Sequence, residues 1–117
     1  MINDYLLPVS RESVIDGNEL HPAQLGNYIY LFDGTQPDLH SFDIALIGVG
    51  DDRGSSGNKG SAAGPDAIRK QFYKLYMPPV EREFRVIDLG NVRIGETQRD
   101  TYFAIATIVL ELVTHKV

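Results

Sequence analysis

The stretch Asp43–Arg69, DIALIGVGDDRGSSGNKGSAAGPDAIR, decides the fold. Asp43 to Val49 is a near-continuous apolar run. That is the composition of a parallel strand covered on both faces. The run breaks into a loop that holds five glycines from Gly50 to Gly64. Gly64-Pro65-Asp66-Ala67-Ile68-Arg69 then opens an amphipathic segment. Proline suits the first helical turn, where its missing N–H costs nothing, and Gly64 can take the cap position. A helix is expected from Pro65 to about Tyr76, stopped by Pro78-Pro79. Ala67, Ile68, Phe72 and Leu75 recur at helical spacing and are expected to face the sheet.

Outward from this stretch, Phe84 to Leu89 reads as a second strand closed by Gly90. A turn to Arg99 follows, then a helix from about Asp100 to His115 capped by Asp100 or Thr101. Its apolar residues nearly surround it, which is the pattern of a buried helix. Strand, helix, strand, helix in this order predicts an α/β fold, a parallel βαβα unit with a crossover. Ile44–Val49 and Arg85–Leu89 are its expected neighbouring strands.

Residues 1–41 form a separate, irregular N-terminal segment ahead of the βαβα portion at 42–117. Asp16-Gly17 and Asp33-Gly34 mark turns in it. His21 to Phe32 suits a short helix after Pro22, although Tyr28–Phe32 also alternates as a strand would.

Composition narrows the function. The chain has 117 residues, 43% of them hydrophobic, and a formal charge of −5. That balance argues against a nucleic-acid partner, which needs a basic face to replace phosphate counterions. There is no cysteine, so disulfides and thiolate metal sites are excluded and a reducing cytoplasm is allowed. No apolar stretch is long enough to span a bilayer, so no membrane role is expected.

The glycine loop fits no phosphate cradle well. Gly48-Val49-Gly50 begins like a dinucleotide fingerprint, but the third glycine, Gly54, falls one place late and the helix waits until Pro65. A P-loop requires glycine where Lys59 stands. Asp51 and Asp52 follow the strand directly, at the carboxyl edge where open α/β sheets bind ligands. They suit an amine, an amidine or a hard cation, or else the turn hydrogen bonding that aspartate favours. Arg53, Asn58 and Lys59 in the same loop could pair with a substrate carboxylate, or simply face solvent. Arg69 reads as a structural ion-pair partner. Asp88 ends the second strand. His21, His40 and His115 are scattered, with no metal-ligand spacing.

Three segments carry a family resemblance: Asp43–Gly48 with the loop through Lys59-Gly60, then Ser61–Arg69 with its GPDAIR run, then Val86-Ile87-Asp88-Leu89-Gly90-Asn91-Val92. Together they resemble the start of the arginase/agmatinase/formimidoylglutamase (ureohydrolase) family, and the loop is most similar to the formimidoylglutamase branch. The resemblance covers roughly residues 43–117. It implies a three-layer α/β/α fold and a hydrolase of linear amidine or guanidino C–N bonds. It also implies a centre of two manganese ions that activate a hydroxide. The metal-ligand motifs of the family, a GGDH-type strand end, a DAHxD segment and an SxDxDxxDP segment, are absent, so no metal ligand is assigned to any residue. What carries over is structural: Gly48, Gly64, Pro65, Arg69 and Asp88. The chain is therefore expected to be the N-terminal piece of a longer protein, inactive alone, with a small-molecule substrate in the intact enzyme. A non-catalytic ligand-binding or interaction module is the other reading. An unpaired sheet edge and exposed apolar residues on the last helix, among Phe103, Ile108, Leu110 and Leu112, are expected to drive homo-oligomerisation.

Overall fold

The computed structural model describes residues 2–15, 20–54, 57, 59–79 and 83–117. The turn read at Asp16-Gly17 lies outside them. Among the described residues, four strands share one sheet, β1 (Leu6–Leu7), β2 (Ile29–Leu31), β3 (Ile44–Gly48) and β4 (Val86–Val92). Three α-helices accompany them there: α1 (Arg11–Val14), α2 (Gly64–Phe72) and α3 (Gln98–Thr114).

β4 is the centre of the sheet. β3 runs parallel along one side, with Ile44 opposite Val86 and Leu46 opposite Asp88. The expected parallel pair, with α2 as its crossover, is present. On the other side β2 pairs in parallel with the first half of β4, and β1 pairs antiparallel with its end. The N-terminal segment, read as irregular, thus contributes two short strands. His21–Phe32 is not the expected helix: a single 3-10 turn at Leu25–Asn27 leads into β2. The strand alternation at Tyr28–Phe32 is the reading that holds, but three paired residues are too few for it to outweigh the helix in the sequence.

β4 also runs further than expected. It continues through Gly90 to Val92 by a shift in register between the pairs Leu46–Asp88 and Gly48–Asn91. Gly90 has φ of +81°, and a Cβ there would lie 2.1 Å from the carbonyl oxygen of Leu7 in β1. Only glycine fits. The extra residue puts Asp88 and Asn91 on the same face despite their odd spacing.

Each face of β4 carries its own core. Ile87, Leu89 and Val92 pack with Ala104, Ile108 and Leu112 of α3, together with Ile2, Leu6, Phe32, Leu39 and Phe42. On the opposite face, Val86 packs with Ile29, Leu25, Val14 of α1 and Tyr73, which directly follows α2. Helices therefore cover both faces, as in α/β folds.

Three expectations about burial are corrected. β3 is half-buried, not covered on both faces, because among the described residues it pairs with β4 alone and its outer edge is bare. α2 ends at Phe72, before Pro78-Pro79, and its inward face is not the apolar one. Ile68 is 68% exposed, Ala67 and Leu75 are also exposed, and Phe72 is half-buried, whereas Arg69 is only 5% exposed. α3 is capped by Thr97, not by Asp100 or Thr101. The Thr97 hydroxyl accepts from the Asp100 N–H, and the Asp100 carboxylate accepts from the Thr97 N–H. This reciprocal arrangement satisfies two donors that a helix start leaves open. α3 is buried on one face only. Of the four residues expected to be uncovered, Phe103 and Leu110 are exposed, while Ile108 and Leu112 are in the core.

Candidate functional site

The carboxyl end of β3 opens into the glycine loop, which returns through a 3-10 turn at Ser61–Ala63 to α2. Asp51 and Arg53 face each other at its start. The Asp51 carboxylate accepts from the Arg53 backbone N–H at 3.1 Å and from its Nε at 2.9 Å. Arg53 then reaches across the sheet edge. Its Nη1 donates to the carbonyls of Gly95 (3.0 Å) and Glu96 (2.8 Å), and its Nη2 to the Thr101 hydroxyl at 3.1 Å. Thr101 is fully buried and accepts in turn from the Gly95 N–H. One guanidinium therefore fastens the loop after β3 to the loop after β4 and to the first turn of α3. Its fixed fork of donors suits this bridging.

Asp52 and Lys59 close the loop on itself. The Asp52 carboxylate accepts from the Gly60 N–H at 2.7 Å, and Lys59 Nζ donates to the carbonyls of Asp52 (2.9 Å) and Arg53 (3.2 Å). Four of the five residues singled out for substrate binding thus come together at the carboxyl edge, each holding a partner within the molecule. The fifth, Asn58, lies outside the described residues. The hydrogen bonds and charge of Arg53 hold the Asp51 carboxyl down to about 2, and the Gly60 N–H lowers Asp52 in the same direction. Both carboxylates are ionised at neutral pH.

Behind this edge lies a second polar cluster, buried between α2 and β4. Arg69 binds Asp88 in two-pronged fashion, Nε to Oδ2 at 2.9 Å and Nη2 to Oδ1 at 3.0 Å. It also donates to the Gly90 carbonyl (2.8 Å), Asn91 Oδ1 (2.6 Å) and Asp66 Oδ1 (3.2 Å). The Tyr73 hydroxyl donates to Asp88 Oδ2 at 2.6 Å, and burial together with that bond pushes the phenol well above its ordinary range. Gly48 makes the cluster possible: a Cβ there would lie 2.1 Å from Asn91 Oδ1, 2.8 Å from Pro65 and 2.9 Å from Arg69. Gly64 and Pro65 form the first turn of α2. The structural roles read for Gly48, Pro65, Arg69 and Asp88 converge on this one cluster.

Tyr73, Asn91 and Thr97 were given no role by sequence, and Thr101 was read only as a helix cap. Tyr73 was legible in principle, since it follows Arg69 by four residues and shares its helix face. Asn91 was not, because its orientation depends on the register shift at Gly90.

No arrangement of described residues suits the two manganese ions. Among them no group of three or more His, Cys, Asp or Glu side chains is close enough to hold a metal ion. His40 and His115 do meet edge to face, with ring centroids 4.6 Å apart, but no carboxylate completes a ligand set there. A two-metal centre needs several converging donors. A cavity of about 510 Å³, lined by Tyr28, Tyr30, Phe42, Phe84 and Arg85 among others, opens at the amino ends of β2 and β4, away from the glycine loop. No helix among the described residues is long and apolar enough to cross a membrane.

A parallel pair crossed by a Pro-started helix, with a fastened loop at its carboxyl edge, defines an α/β ligand-site scaffold. Residues 42–117 match the family model described as Arginase family. The chain belongs to the Arginase family. No curated protein and no solved structure matches it.

Proposed function

We propose that this chain is the substrate-edge portion of a ureohydrolase-like hydrolase, acting on C–N bonds of linear amidines or guanidino compounds. A formiminoglutamate- or arginine-like substrate fits a loop that presents both Asp51-Asp52 and Arg53-Lys59, and its glycine-rich sequence resembles the formimidoylglutamase branch. The observation that carries this reading is the position of the loop: it leaves the carboxyl end of β3 inside the region matched to the family. Open α/β sheets bind ligands at that edge. The described residues offer no donor set for two manganese ions, so no hydrolytic step is assigned to them. Inactivity of the chain by itself is part of the proposal. The cytoplasm is the proposed compartment, in keeping with the absence of cysteine.

The test has two arms. Formiminoglutamate, arginine and agmatine are each incubated with the chain and added manganese. No turnover and no stoichiometric manganese binding are expected, and turnover would overturn the assignment of inactivity. In the second arm, amide spectra are recorded during titration with the same compounds. Shifts at Asp52, Arg53 and Gly60, abolished by Asp52→Ala, are expected. A flat response at the loop would overturn the substrate-edge role. It would favour the second reading, a non-catalytic interaction module of the family. That alternative draws support from the internal satisfaction of the Asp51, Asp52, Arg53 and Lys59 side chains.

A further inference from the structure

The cavity of about 510 Å³ at the amino ends of β2 and β4 takes no part in the glycine-loop site. Its size falls in the range of small-molecule sites, about 300–1,000 Å³. Its floor is built from both cores. Phe42 belongs to one, Ile29 and Val86 to the other, and all three are buried. Tyr28 and Tyr30, each 53% exposed, and the half-buried Phe84 supply aromatic walls.

Two opposite charges, Arg85 and Glu83, line the same cavity, and both residues are exposed. The Arg85 guanidinium is held in place before any ligand arrives. Its carbon lies 4.8 Å from the centroid of the Phe42 ring, which packs in turn against Tyr30 at 5.5 Å. The Arg85 backbone is fixed by Asp43. Its N–H donates to the Asp43 carboxylate at 2.9 Å, and its carbonyl accepts from the Asp43 N–H at 2.9 Å. Among the described residues, no hydrogen bond or ion pair takes up the Arg85 guanidinium or the Glu83 carboxylate.

We propose that this cavity binds a free aromatic α-amino acid, at a site separate from the glycine loop and independent of the hydrolase reading. The charges select the ligand. A further protein segment laid over the cavity would take two unmatched ions out of water, which is costly unless each is paired. A zwitterion pairs both at once. Its carboxylate meets the planar fork of Arg85, and its ammonium meets Glu83. The aromatic side chain is then left for the walls of Tyr28, Tyr30 and Phe84, where ring-on-ring contact adds to burial.

L-Tryptophan is the probe, because the chain contains no tryptophan and all indole emission comes from the ligand. A saturable blue shift of that emission is expected as the chain is added, and its absence would overturn the proposal. Arg85→Gln should weaken binding roughly tenfold or more, the loss of a charge-assisted contact. An unchanged affinity in this variant would also overturn it. Because Arg85→Gln removes the contact with Phe42 as well, three analogues are tested on the unaltered chain. Tryptamine lacks the carboxylate and indole-3-propionate lacks the ammonium, so each should bind roughly tenfold more weakly than tryptophan. N-acetyltryptophanamide, which carries neither charge and mimics a tryptophan within a polypeptide, should bind more weakly still. Equal binding of N-acetyltryptophanamide and tryptophan would overturn the proposal and assign the cavity to an aromatic side chain of a protein segment.

Discussion

α2 and α3 belong to the same βαβα unit and dock on the same strand in opposite ways. α3 meets β4 through Ala104, Ile108 and Leu112, an ordinary apolar contact. α2 turns Arg69 inward and leaves Ile68 in solvent. The difference comes from the two faces of β4. One face offers Ile87, Leu89 and Val92. The other offers Asp88 and, through the register shift at Gly90, Asn91. A carboxylate in a low-dielectric layer must be paired and hydrogen-bonded, and this requirement outranks the burial of one more aliphatic side chain. The strand therefore chooses which face of the crossover helix turns inward.

This contrast is open to breakage by substitution. The largest effect is expected at the ionic contact. Asp88→Ala leaves Arg69 buried without its carboxylate and should cost about 3–5 kcal/mol in urea unfolding, enough to unfold a marginal domain. A loss below about 1 kcal/mol would mean that the cluster is dispensable. On the apolar side, Ile108→Ala should cost about 2–4 kcal/mol from lost burial and the cavity left behind. Tyr73→Phe removes one bond to a carboxylate that keeps its others, so about 1–2 kcal/mol is expected.

Smaller still is the loop fastening, which depends on pH. The Asp51 carboxyl is depressed to about 2 from its ordinary value of 3.8. Its contribution is thus complete above 3.8 and fades as pH falls toward about 2. Wild type should lose loop protection in hydrogen exchange across that window, whereas Asp51→Asn, which cannot titrate, should be loosened already at neutral pH. Equal profiles for the two would break the link between Asp51 and the loop. The smallest effect belongs to the outer face of α2: Ile68→Gln should change stability by less than about 0.5 kcal/mol. A large loss there would restore the apolar-face docking read from the sequence.

The parts of the fold that the sequence makes legible are those with local causes. The Asp43–Val49 run, the glycine loop and Pro65 place β3, the loop and the start of α2, and Phe84–Gly90 announces β4. The inward face of α2 is not legible, because helical spacing ranks Ala67, Ile68, Phe72 and Leu75 above a lone arginine. The partner that reverses this order, Asp88, lies nineteen residues away across the crossover. β2 stays undecided in the sequence, because the alternation at Tyr28–Phe32 is too short to outweigh a helix after Pro22. The Thr97–Asp100 cap is a local signal passed over because aspartate stands where glutamate or glutamine is usual. At the loop, the sequence places Asp51, Asp52, Arg53 and Lys59 after the carboxyl end of β3, where the structure has them. It does not reveal Thr101 or the Gly95 and Glu96 carbonyls, which complete the Arg53 clasp only when α3 folds beside it.

The ionic docking of α2 on β4 is tested most directly by a double-mutant cycle on Arg69→Met, Asp88→Asn and the pair together, read by urea unfolding. The two side chains share two hydrogen bonds in a buried layer, so each single change should destabilise the chain strongly and the double change should cost far less than their sum. The expected coupling is about 2–3 kcal/mol. Additive losses, with coupling near zero, would contradict it and would mean that α2 is held by contacts other than this pair.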